Sequence, residues 1–134
     1  MSLNAIFKFP DLYRTAIAIA SVPDQRAYDT IYQERYMGLP SENAVGYRAG
    51  SPIHFAGQLK GNLLIVHGAA DDNCHYQTFE KLVDALIQHN KPFTMMTYPR
   101  GTHSIKEGKN TTLHLFSTMT RFLRQNLPVE TNEG

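Results

Sequence analysis

Residues 62–75 read NLLIVHGAADDNCH: a short apolar run that ends in His-Gly and opens into a loop holding two aspartates, an asparagine and a cysteine. An apolar stretch of this length with no polar alternation predicts a strand buried on both faces, as in parallel sheets. Two similar runs flank it, 15–22 (TAIAIASV) and 93–98 (FTMMTY). Between the second and third runs, Phe79, Leu82, Val83, Leu86 and Ile87 recur at the spacing of one buried helix face, with Asn90 and Pro92 placed to stop it. After the third run, Thr111 or Thr112 is expected to cap a helix that turns Leu113, Phe116, Thr120, Leu123 and Leu127 inward and ends at Pro128. Residues 24–37 read as helical and 38–52 as a Gly/Pro-rich loop with at most one helical turn. Leu3, Ala5, Ile6 and Phe9 read as the end of a helix that begins upstream. Strands alternating with helices predict an α/β fold of about three parallel strands with flanking helices.

The chain has 134 residues, 42% of them apolar, with seven Phe and seven Tyr, which suffices for one domain with its own core. Thirteen Lys and Arg against twelve Asp and Glu leave a net charge of +1 with no basic tract, so neither a nucleic acid nor an anionic membrane is indicated as a partner. No apolar run approaches the roughly 20 residues of a membrane span. One cysteine, Cys74, excludes an intrachain disulfide and leaves the compartment open. The polar tail 129–134 is expected to be frayed.

In open α/β sheets, chemistry gathers in the loops that leave the carboxyl ends of the strands. Here the second strand runs into Asp71 and the third into Thr102-His103-Ser104. An acid after one strand and a histidine after the next is the chain order of the last two members of an α/β-hydrolase triad. In that reading Asp71 accepts a hydrogen bond from His103 and fixes its tautomer, so that the other ring nitrogen serves as base. The nucleophile is missing: none of Ser2, Ser21, Ser41, Ser51, Ser104 and Ser117 lies in a G-x-S-x-G elbow, and Cys74 sits beside the acid on the wrong loop. A bland reading also fits, since Asp-Asp-Asn after a strand is a common helix cap and Thr-His-Ser an ordinary polar loop.

HGAADDNCHYQ (67–77), AYDTIYQERYMGLP (27–40) and the histidine loop followed by a C-terminal helix together resemble the dipeptidyl peptidase IV branch of the prolyl oligopeptidase family, over nearly the whole chain. The resemblance implies the C-terminal part of an α/β-hydrolase peptidase domain, beginning a few residues after the nucleophile elbow and without the family's N-terminal β-propeller. It implies Asp71 and His103 as catalytic acid and base, Asn73 as a contact to the substrate backbone, and Tyr28 and Tyr32 as walls of the pockets for the first two substrate residues. The implied activity is that of a serine exopeptidase releasing N-terminal Xaa-Pro or Xaa-Ala dipeptides through an acyl-enzyme, with no cofactor, the isolated chain being inert. Relatives of this kind are often exported, which points to a periplasmic or extracellular place. Two departures stand out: Gln25 or Ala27 where several relatives carry an aromatic, and Cys74 where valine is common.

A strand 15–22 that has lost its neighbour exposes an edge, and self-association into a homo-oligomer through it is expected. Two other functions stay open on the residues. One is a metal-dependent hydrolase using His67, Asp71, Asp72, His75 and His103; the other is a non-catalytic interaction module. Otherwise His67, His75, His89 and His114 read as structural or exposed.

Overall fold

The computed structural model describes residues 1–27, 30–72 and 74–127; Tyr28, Asp29, Asn73 and 128–134, with the frayed tail expected there, lie outside the described residues. Its elements in order are α1 (Ser2–Lys8), β1 (Thr15–Ile19), a 3-10 turn (Gln25–Ala27), α2 (Thr30–Met37), α3 (Ala44–Gly50), a 3-10 segment (Pro52–Gln58), β2 (Asn62–Gly68), α4 (Tyr76–Gln88), β3 (Thr94–Tyr98) and α5 (Thr111–Asn126). The three strands form one parallel sheet in the order β1-β2-β3, with Thr15 opposite Asn62 and Leu64 opposite Thr94. Every residue of β2 after Asn62 is buried, which is why this stretch lacks alternation.

Successive side chains point to opposite faces of a strand, and the core divides accordingly. Ala16, Ala18, Leu63 and Ile65 pack with Leu3, Ile6 and Phe7 of α1, with Ala56, and with Phe79, Leu82 and Leu86 of α4. Ile17, Leu64, Val66, Met96 and Tyr98 pack on the other face with Ile105 and with Leu115, Met119 and Phe122 of α5. The sheet is thus sandwiched between helical layers. At thirteen residues α4 would be marginal alone, and its wholly buried Leu82 and Leu86 carry it. It ends as the sequence predicts: Asn90 adopts a left-handed φ of 51°, its N–H bonds the Ile87 carbonyl, and the Lys91 N–H bonds Leu86, a Schellman closure.

Four expectations are corrected. The inward face of α5 is Leu115, Met119 and Phe122, whereas Leu113, Phe116, Leu123 and Leu127 are exposed. The helix is apolar on two sides, and only one stripe meets the sheet. Its N-cap is Asn110, not a threonine, while the Thr111 hydroxyl donates back to the Glu107 carbonyl. The segment 38–52 holds the seven-residue α3; its two glycines weaken the sequence signal, but the Asn43 side chain caps the Gly46 N–H at 3.1 Å and Tyr47 is buried. The first strand stops at Ile19 because Ala20 turns left-handed, with φ 47°.

Candidate active site

The loops after β2 and β3 are joined backbone to backbone. The Ala69 N–H bonds the Tyr98 carbonyl at 2.9 Å and the Ala70 N–H bonds the Gly101 carbonyl at 3.0 Å. This closeness needs glycine on both sides: a Cβ on Gly68 would stand 2.1 Å from the Gly101 oxygen, and one on Gly101 would stand 3.1 Å from the Gly68 Cα. Strand order and these two glycines bring the acid loop and the histidine loop together.

The Asp71 side chain is wholly buried, and its Oδ2 lies 3.0 Å from Nδ1 of His103, whose own side chain is 49% exposed. A carboxylate can only accept, so the neutral imidazole donates from Nδ1 and keeps the Nε2 lone pair available. Oδ1 accepts the Cys74 N–H at 2.8 Å. The cap reading of these aspartates fails, because α4 begins at Tyr76 with His75 as N-cap and no side-chain cap bond. The geometry is that of a proton acceptor oriented by a buried anion.

Two supporting residues were not legible as such. His67, at the end of β2, is fully buried; its Nε2 donates to the Cys74 carbonyl at 2.6 Å and lies 3.6 Å from Asp71 Oδ2. The acid loop is therefore tied to the strand through a ring that packs edge-on to Tyr76 and beside Phe79. On the other loop, the Glu107 carboxylate accepts the Thr102 hydroxyl, the Thr102 N–H and the Lys106 N–H, closing a turn around His103. Ile105 in that turn has φ 49°, a conformation strained for a β-branched residue. Its burial in the Tyr98–Leu115 cluster holds it there. No sequence spacing marks these roles, since they arise where two loops meet.

The Thr102 bonds, with Lys106 and the residue's own N–H, hold the Glu107 carboxyl down at about 2, from an ordinary 4.5. A depressed folded-state value stabilises the fold above the ordinary value, and that contribution is lost as pH falls from about 4.5 through about 2. Thermal midpoints followed through this window are expected to fall less steeply in Glu107→Gln than in the parent.

Cys74 is buried, and burial together with the Asp71 carboxylate pushes its thiol up to about 11. A nucleophilic role does not suit such a thiol. Only about one molecule in a thousand would be thiolate at pH 8, so iodoacetamide is expected to label Cys74 slowly in the folded protein and rapidly after unfolding. Mass spectrometry of the alkylated peptide reads both rates.

Of the remaining expected site residues, Tyr32 stands on α2, 57% exposed, with its ring 5.1 Å from that of Tyr36, and Tyr28 and Asn73 lie outside the described residues. Of the five residues of the metal-hydrolase reading, Asp71 and His103 fall in one cluster of ligand-type atoms among the described residues, and its third member is Cys74. Also among the described residues, no helix is long and apolar enough to cross a membrane.

Residues 1–130 match the model of the prolyl oligopeptidase family. Human dipeptidyl peptidase 8 is 37% identical over 133 residues, covering 95% of this chain and 14% of the relative; mouse prolyl endopeptidase FAP is 35% identical over 117 residues, 85% and 15%. The rat protein named inactive dipeptidyl peptidase 10 is 34% identical over 120 residues, 88% and 15%. In structure, dipeptidyl peptidase 4 of Porphyromonas gingivalis superposes with a TM-score of 0.89 at 45% identity, covering 93% of this chain and 18% of that one. The chain spans about a seventh of the length of these curated relatives. A family match over nearly every residue, with close superposition on a solved dipeptidyl peptidase 4, means that the chain belongs to the prolyl oligopeptidase family.

Proposed function

We propose that this chain supplies the acid and base of a serine exopeptidase that releases N-terminal dipeptides with proline or alanine in second place. Asp71 orients and stabilises the imidazole; His103 takes the proton of a serine and returns it to the leaving amine. The serine comes from outside this chain, none of whose six serines lies in an elbow motif. Tyr28 and Tyr32 line the substrate pockets and Asn73 holds the substrate backbone, on the strength of resemblance.

The observation that carries this reading is the 3.0 Å approach of His103 Nδ1 to a wholly buried Asp71. Similarity alone would not suffice, because a relative as similar as 34% bears the name inactive. Fluorophosphonate labelling tests the reading: the longer peptidase should label at one serine and release Xaa-Pro dipeptides, and this chain alone should do neither. Labelling of a serine among residues 1–134 would sink it.

β1 pairs only with β2 among the described residues, and we expect the isolated chain to self-associate through its open edge. Sedimentation velocity at micromolar concentration should show dimers or larger species; a monomer throughout would contradict this.

A further inference from the structure

The acid–base pair has a third neighbour that the relay does not use. A carboxylate oxygen of Asp71, the sulfur of Cys74 and a ring nitrogen of His103 all lie within 4.8 Å of one another. We propose that Asp71, Cys74 and His103 form a binding site for a thiophilic divalent cation of the zinc class, one whose occupation takes His103 out of service as a base.

Oxygen, sulfur and imidazole nitrogen are the three donor types zinc accepts, and bonds of about 2.0–2.3 Å set tetrahedral ligands about 3.3–3.8 Å apart. The cluster is therefore within about an ångström of coordination distance. Two of the donors are buried and share one loop fixed by the bond from the Cys74 N–H to Asp71 and by the bond from His67 Nε2 to the Cys74 carbonyl. Those are the outer contacts that hold ligands in place. The third donor belongs to a half-exposed side chain that can turn toward the ion and leaves a side open for entry and for a water ligand. Charge also closes: an ion of +2 with one carboxylate and one thiolate leaves the buried cluster neutral, which removes the main cost of burying it.

The bland alternative is that Cys74 packs as a small apolar group, as the valine of relatives would. It does not account for a sulfur set beside two metal-ligating groups. A cation that prefers oxygen ligands, such as magnesium, should not bind a site with a sulfur donor.

That occupation would stop catalysis rests on the reading given under Proposed function; the binding itself does not. Cobalt(II), a coloured substitute for zinc, is titrated into the protein. About one equivalent should bind with a sulfur-to-cobalt charge-transfer band that zinc abolishes. Cys74→Val, which keeps the packing volume, and Cys74→Ser should both lose the band, and zinc affinity should fall about tenfold or more in each and in His103→Asn. Absence of the band in the parent, or zinc affinity in Cys74→Val within about twofold of the parent, overturns the site. A band in a longer peptidase that, once stripped of metal, releases no Xaa-Pro dipeptide supports the site and overturns only the catalytic reading.

Discussion

If the proposed relay operates, Asp71→Asn in a peptidase that carries this chain is expected to lower kcat about ten-thousandfold while KM changes by a few-fold at most. The reason is tautomeric. An asparagine of the same shape can present its NH₂ to His103, so Nδ1 becomes the acceptor and the proton moves to Nε2. The ring then offers a donor where the serine proton must go. The Asp71 oxygen that accepts the Cys74 N–H has a counterpart in asparagine, so the loop should keep its shape. Stopped assays with an Xaa-Pro chromogenic substrate give kcat and KM, and a far-ultraviolet melt checks the fold. A loss of tenfold or less would mean that Asp71 serves only to hold the loop, and the proposed relay would fall with it.

The second large effect is structural. Gly68→Ala is expected to destabilise the domain by about 3 kcal/mol or more, at the upper end of overpacking costs. The three atoms nearest the added Cβ are all backbone: the Gly101 oxygen at 2.1 Å, its carbonyl carbon at 2.5 Å and the Thr102 oxygen at 2.6 Å. None of these is a flexible side-chain end, so relief requires parting the loops after β2 and β3. Gly50→Ala is the control, because its Cβ would face only Gln25 Cγ at 3.4 Å and Met37 Cε at 3.7 Å. Urea midpoints for the two variants should differ widely. A Gly68→Ala protein as stable as Gly50→Ala would show that the loops separate at no cost.

What could be read in advance follows from where information sits along the chain. The run 62–66, the spacing from Phe79 to Ile87 and the Asn90-Lys91-Pro92 stop are local patterns, and β2 and α4 follow them. The order acid then histidine after successive strands pointed the same way, although a bland loop reading fitted it too; Asp71 and His103 meet because parallel neighbours send their exit loops to the same end of the sheet. The inward stripe of α5 was not legible. Leu113, Phe116 and Leu123 compete with Leu115, Met119 and Phe122, and only the position of the sheet decides between them. α3 was missed because a helix with two glycines depends on a side-chain cap and on burying Tyr47, not on propensity. His67 and Glu107 escaped for the same reason: each acts through a partner whose proximity only folding creates.

The glycine contact between the two exit loops bears on time as well as on distance. The amide protons of Ala69 and Ala70 are bonded across that contact, so they should exchange with solvent at the pace of the β2–β3 ladder and not at that of free surface loops. The separation of Asp71 and His103 then fluctuates only as much as the paired strands β2 and β3 do. Under the proposed function, an arriving peptide would find this pair already ordered, and none of its binding energy would be spent on bringing Asp71 to His103.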